Sequence, residues 1–223
     1  MTRRWFCQLT MGLALVLSQP LHAQTRQSGN LFLTPQLQAM QQDVDVNPIT
    51  LWIEKGQVLW PKSCASCHQG PDHLSTSAAR HPRLVTRNNS SHLVNLEDQI
   101  NACRVRAGQT PKGLEDDDTL ALSALLHSLA KGQSIQVQAP TDASEATRWQ
   151  DELMQGAKLY STRMGRLNLA CVHCHDGKVG ATLRAEVVSP GHPTGFPIYR
   201  LNWQNMGSID RRLRACYSGV QAT

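Results

Sequence analysis

Two pentapeptides carry the chemistry open to this sequence: Cys64-Ala65-Ser66-Cys67-His68 and Cys171-Val172-His173-Cys174-His175. Two cysteines separated by two residues and followed at once by histidine form the attachment sequence for haem c. At a helix start the thiols become thioethers on the haem vinyl groups, and the histidine reaches the iron from one side. A zinc site needs a compact fourth ligand, which neither half offers. A disulfide within either pair would leave its histidine without a role. The sequence predicts two covalent haem c groups per chain, one on Cys64 and Cys67 and one on Cys171 and Cys174. His68 and His175 are then the proximal iron ligands.

The ligand on the opposite side of each iron decides what the haem does. No methionine lies between His68 and the linker that follows the first half, so His73, His81, His92, Cys103, His127 or no protein group is left for that position. Cys103 is flanked by Arg104 and Arg106, which favour thiolate over thiol. The second half offers both Met206 and Cys216. On one continuous helix these would stand roughly 15 Å apart and could not address one iron. Internal repetition aligns Met206 with Leu93, a core position, and Cys216 with Cys103. Met206 therefore reads as packing and Cys216 as the ligand. Arg211, Arg212 and Arg214 crowd Cys216, either as a solvated basic face or as an anion site that lowers the thiol pKa and binds an oxyanion.

The elements that must position these groups repeat. Gly56-Gln-Val-Leu59-Trp60 returns one hundred residues later as Gly156-Ala-Lys-Leu159-Tyr160, just ahead of the second pentapeptide. The stripes Leu93, Leu96, Ile100, Cys103 and Met206, Ile209, Leu213, Cys216 share the spacing of one helix face. Helices are expected from Asn47 to about Trp60 with Pro48 at the first position, from Leu93 to Arg106, from Thr119 to Lys131 behind an Asp118 cap, and from Glu145 to Tyr160. Little of the chain alternates at period two. The fold class expected is mainly α, with two tandem cytochrome c-like haem domains and long loops. Residues 47–133 form the first domain, 134–144 a linker, and 145–223 a second, catalytic domain without a counterpart of the 119–131 helix. A Gln-rich surface arm (24–46) precedes them.

Seven cysteines in 223 residues is an odd number, so they cannot all be disulfide-paired. Residues 1–23 have a basic start, an apolar run and a small residue at Ala23, as an export signal requires. Cleavage there removes Cys7, Arg3 and Arg4, leaving six cysteines and taking the formal charge from +5 to +3. So mild a charge calls for no nucleic-acid partner, and no other segment approaches the length of a membrane span. A periplasmic protein is expected. Apolar residues at 40% can fill a core, but aromatic residues at 5% are scarce. Two haem groups would supply the missing flat, apolar bulk.

Asn168-Leu-Ala-Cys-Val-His-Cys-His-Asp176, Ser189-Pro-Gly-His-Pro-Thr-Gly-Phe-Pro197, Tyr199-Arg200 and Arg211-Arg-Leu-Arg-Ala-Cys-Tyr217 resemble the SoxA family of dihaem cytochromes of the sulfur-oxidising Sox system. The resemblance runs from about Leu51 to the end. It implies an L-cysteine S-thiosulfotransferase subunit that pairs with the cytochrome SoxX. Such a subunit couples thiosulfate oxidatively to a cysteine of SoxY in the SoxYZ carrier, and two electrons pass to the SoxX haem. It further implies that Cys216 is the catalytic iron ligand, carried as a persulfide, and that Arg212 contacts substrate. Cys103 would be the thiolate ligand of the first haem, itself structural or a relic of duplication. Members of the family continue past the equivalent of Gln221, so the chain is expected to be C-terminally truncated. The alternative reading is a non-catalytic dihaem electron-transfer cytochrome; a dihaem peroxidase would need an open sixth site.

Overall fold

The computed structural model describes residues 26–87 and 90–222. The export signal expected over residues 1–23 lies outside the described residues. In chain order the helices are α1 (Pro35–Gln42), α2 (Ile49–Ser63), α3 (Leu96–Arg106), α4 (Asp117–Leu129), α5 (Ala143–Ser161), α6 (Cys171–His175) and α7 (Ile209–Gly219). Among the described residues six short strands pair as three antiparallel hairpins. These are β1 (Arg83–Arg87) with β2 (Ser90–Val94), β3 (Thr182–Leu183) with β4 (Glu186–Val187), and β5 (Ile198–Arg200) with β6 (Asn205–Gly207). The chain is mainly helical, and no described helix is long and apolar enough to cross a membrane.

Helix α4 organises the interior. Its residues from Thr119 to Leu126 are all buried, which requires packing on every side. On one side Leu122, Leu125 and Leu126 meet Trp60, Ala78, Leu96 and Ile100. On the other, Leu120 and Ala124 meet Met206, with Ile49, Trp52 and Tyr199 around them. Its two buried hydroxyls are satisfied: Thr119 Oγ1 accepts from Arg104 Nη1 at 2.7 Å, and Ser123 Oγ donates to Glu97 Oε1 at 2.6 Å. The wall expected for the first half alone therefore also backs the second half, through Met206. Met206 is packing, but the position it aligns with, Leu93, is exposed and not core as expected, so the alignment alone does not account for it.

Several boundaries differ from expectation, each for a capping reason. Helix α3 begins at Leu96, not Leu93, because Asn95 Oδ1 accepts from Asp98 N (2.8 Å) while Asp98 accepts from Asn95 N (3.1 Å). Leu93 lies in β2, opposite Leu84. Likewise Ser208 caps α7 by accepting from Asp210 N and Arg211 N, and Met206 lies in β6 opposite Tyr199. The shared stripe is thus no continuous helix face. The repeated unit is a hairpin, a polar cap and a helix, with the cysteine eight residues past the cap in both copies. Asp116, not Asp118, caps α4. Asp118 instead pairs with Lys112 and Lys55, whose ammonium groups hold its carboxyl down at about 2.

Hydrogen bonds tie the linker and the arm to the rest of the chain. Gln136 N donates to the Ala79 carbonyl at 2.7 Å, fastening residues 134–144 to the first half. The arm carries α1, and its Gln27 N donates to His192 Nδ1 at 2.9 Å. It therefore reaches the second half rather than lying loose on the surface.

The repeated glycines have different surroundings. A Cβ on Gly56 would stand 2.5 Å from the Ala121 carbonyl oxygen of α4, whereas one on Gly156 would meet nothing within 4 Å. Gly56→Ala is expected to lower stability by about 1–3 kcal/mol through overpacking. Gly156→Ala should raise it by about 0.5–1 kcal/mol through helix propensity. Urea midpoints of the two variants, measured side by side, check this opposition in sign.

Candidate functional site

The first pentapeptide follows a helix rather than starting one. Helix α2 ends at Ser63, Cys64 N donates to the Trp60 carbonyl (2.9 Å), and Cys67 N and His68 N both turn back to the Cys64 carbonyl at 3.0 Å. The Trp60 and His68 rings lie 6.2 Å apart. Burial, then the charge of the Cys103 sulfur, push the Cys64 thiol up to about 11. Cys103 Sγ accepts from Gln99 Nε2 and Arg106 Nη2, both at 3.3 Å. Arg104 does not share that task, since it turns inward to Thr119 and Asn101. Of the alternative ligands, His127 and His81 each have Nδ1 engaged, at the Ser123 carbonyl (2.9 Å) and the Ser77 carbonyl (2.7 Å), and His81 Nε2 is buried with no partner among the described residues.

In the second half the pentapeptide is itself the short helix α6. Ala170 N donates to His173 Nδ1 at 2.8 Å and closes its first turn. His175 is fixed on two sides. Its Nδ1 donates to the Ser189 carbonyl at 2.7 Å, and Gly191 passes so close that a Cβ there would stand 2.9 Å from the ring. Gly191 also has φ +72°, where glycine is favoured. With Nδ1 occupied, Nε2 is the nitrogen left for an axial bond.

Across from His175 lies Cys216 on α7. The proximity of Cys216 raises the imidazole pKa, and the imidazole, aided by the charges of Arg212 and Arg200, lowers the Cys216 pKa against burial. Burial, then the neighbouring Cys216, raise the Cys171 thiol. His175, Cys171 and Cys216 thus meet in one crevice.

The arginines sort differently from expectation. Arg212 sits one turn before Cys216, on the same helix face. Arg211 leaves that face, donating to the Met206 carbonyl (3.0 Å) and stacking over Trp203 at 4.7 Å. Arg214 pairs with Asp210 at 2.6 Å and is mostly exposed. Arg200, from β5, takes the second place beside Cys216. Both Arg200 and Arg212 hold Glu186 of β4, the latter at 3.3 Å. Sequence reasoning passed over Arg200 as a site residue, although Tyr199-Arg200 stands in a segment it singled out. Ser189 and Gly191 likewise stand in a segment singled out from the sequence, with no role assigned to them there, and Glu186 carried no signal of its own.

The donor set fits haem c. Each half presents two cysteine thiols, a histidine and a distal cysteine. In the first half the indole Nε1 of Trp60 is buried with no partner among the described residues, a donor that haem carboxylates can satisfy.

Residues 51–135 match the family described as SoxA/TsdA, cytochrome c domain. The L-cysteine S-thiosulfotransferase subunit SoxA of Pseudaminobacter salicylatoxidans is 34% identical over 207 residues, covering 87% of this chain and 69% of that protein. The subunit of the same name from Chlorobaculum tepidum is 33% identical over 183 residues, covering 78% of this chain and 60% of the relative. That of Paracoccus pantotrophus is 30% identical over 203 residues, covering 87% and 67%. Thus the chain spans 60% to 69% of the length of these relatives. The crystal structure of SoxXA from P. pantotrophus superposes with a TM-score of 0.78 at 29% identity, covering 88% of this chain and 74% of that one. The chain accordingly carries a haem c-binding cytochrome domain.

Replacing Gly191 tests how His175 is held. Where His175 ligates a haem iron, Gly191→Ala is expected to displace the imidazole while leaving covalently bound haem in place. Electron paramagnetic resonance should then show the low-spin signal of that iron lost or mixed with high-spin species. An unchanged spectrum would contradict the packing argument.

Proposed function

We propose that this chain, which belongs to the SoxA family, is the catalytic subunit of an L-cysteine S-thiosulfotransferase. In this reading residues 47–133 and 145–223 are two haem domains. Two haem c groups are held by Cys64 and Cys67 and by Cys171 and Cys174, with His68 and His175 proximal and Cys103 and Cys216 distal. The partner that receives electrons is SoxX, and the sulfur acceptor is a cysteine of the SoxYZ carrier. Thiosulfate is the substrate and the periplasm the compartment.

The observation that carries the proposal is the placing of Cys216. Arg212 stands one helical turn before it, Arg200 joins Arg212 on the carboxylate of Glu186, and the charges of both arginines act on its sulfur beside His175. The net reaction joins a carrier thiolate to the outer sulfur of thiosulfate, giving a cysteine S-thiosulfonate and two electrons. A haem in the crevice supplies a one-electron acceptor through which that pair can leave. The remaining work falls to side chains. Arg212 and Arg200 hold the sulfonate end by charge-assisted hydrogen bonds and so present the outer sulfur to Cys216. The same charges favour a sulfur anion at Cys216, as a thiolate or a persulfide, which is the reactive form. His175, anchored at Ser189, keeps one orientation throughout.

The electron-carrier alternative needs Met206 on an iron. Met206 is wholly buried against Leu120 and Ala124, which favours the transferase reading. In the first half Cys103 has, among the described residues, one arginine bond, from Arg106, in keeping with a structural or electron-storing role there.

Cys216→Ala, assayed as the complex with SoxX in the presence of SoxYZ, is expected to lose thiosulfate-dependent reduction of the SoxX haem by at least about 100-fold. Pyridine haemochrome content should be unchanged. Activity that survives the substitution would sink the assignment.

A further inference from the structure

The two guanidinium groups beside Cys216 already hold an anion of the chain's own. Glu186 Oε1 pairs with Arg200 and Oε2 with Arg212, so one carboxylate bridges both. The arginine side chains are 19% and 32% exposed, and Glu186 is 49% exposed. The cations thus line the floor of the site and the carboxylate covers them from the solvent side. We propose that Glu186 is a displaceable occupant of the anion site, which an anionic sulfur substrate must exchange for itself. This rests on the reading of Cys216, Arg200 and Arg212 as the thiosulfate site.

Charge and topology both support exchange. Two neighbouring guanidinium groups without a counter-anion repel one another, so the empty site needs a negative partner. The two oxygens of Glu186 are divided between the arginines as two sulfonate oxygens would be. Glu186 is carried by a hairpin built to yield. Strands β3 and β4 contribute only two residues each, and residues 180–187 are all exposed. Beyond its own pairs the hairpin is tied at its base by Gly180 N to the Val188 carbonyl (2.8 Å) and Val188 N to the Ala181 carbonyl (2.9 Å). A segment with no buried apolar anchor opens at low cost.

Exchange also selects. A dianion that bonds both arginines can displace a tethered monovalent carboxylate, whereas a weakly held monoanion cannot. Glu186 thereby raises the concentration of substrate needed, because only the fraction of molecules with the carboxylate withdrawn can bind. It keeps the arginines from binding bulk anions meanwhile.

The test compares Glu186→Gln, Glu186→Asp and the wild type as holoprotein complexes with SoxX, alongside Glu152→Gln, which makes the same charge change at a pair with Arg148 on α5. Two quantities are read: KM for thiosulfate with SoxYZ, and calorimetric affinity for sulfate. Glu186→Gln is expected to lower KM and to tighten sulfate binding, each about 3- to 10-fold, with kcat unchanged. Glu186→Asp, which keeps the charge, should fall between Glu186→Gln and the wild type, and Glu152→Gln should match the wild type. Unchanged or weaker affinity in Glu186→Gln would show that Glu186 positions the arginines or does nothing, and would overturn the proposal. An equal shift in Glu152→Gln would reduce the effect to overall charge and overturn it as well. If sulfate binding tightens as expected but the wild type shows no thiosulfate turnover, the exchange stands and the transferase reading falls.

Discussion

A helix that is apolar all round must be surrounded, and in this chain the requirement falls on α4. Its backbone meets α2 at Gly56, where a Cβ would stand 2.5 Å from the Ala121 carbonyl oxygen. Its leucines close the first core on Trp60, Leu96 and Ile100, while Leu120 and Ala124 take in Met206 from the second half. Glu115, ahead of the same helix, accepts from Ser208 N at 3.3 Å and from the Ser208 hydroxyl. Ser208 caps α7, the helix that bears Cys216. Placement of the distal cysteine is therefore tied through a buried methionine and a cap to the packing of a helix in the other half.

The two copies of the hairpin, cap and helix unit show how one scaffold takes two chemical characters. Both place a cysteine eight residues past a polar cap. In the first copy that sulfur accepts from a neutral amide and one guanidinium, and the second nearby arginine is spent on Thr119. In the second copy the sulfur faces an imidazole and two guanidinium groups, with a carboxylate laid across them. An anion is welcome at the second cysteine and has no paired site at the first. Duplication supplied the geometry; a few charged side chains supply the difference.

Both Cys-x-x-Cys-His motifs stand out in the sequence because three residues at fixed spacing suffice to state them. Duplication was legible too, but it set Met206 apart as packing by way of a core Leu93, and Leu93 is exposed while Met206 is buried. The stripe containing Met206 was misread as one helix because its three- and four-residue spacing runs unbroken across the caps Asn95 and Ser208. The Asn95–Asp98 capping box was the local signal that could have ended it. Runs mislead in the other direction as well: Arg211, Arg212 and Arg214 are adjacent in sequence, but helix geometry sends only Arg212 toward Cys216. Arg200 and Glu186 come from separate hairpins sixteen and thirty residues ahead of Cys216, and no local pattern links them to it. The second face of α4 was hidden for the same reason, its partner lying some eighty residues downstream.

The central claim is that Cys216 is a sulfur-carrying centre and not a packed or merely ligating thiol. Mass spectrometry of the peptide containing Cys216, taken from protein matured with its haem and exposed to thiosulfate, reads this directly. The account predicts one additional sulfur on Cys216 that a thiol reductant removes, and none on Cys103. An unmodified Cys216 under those conditions, or equal modification of both cysteines, would contradict it.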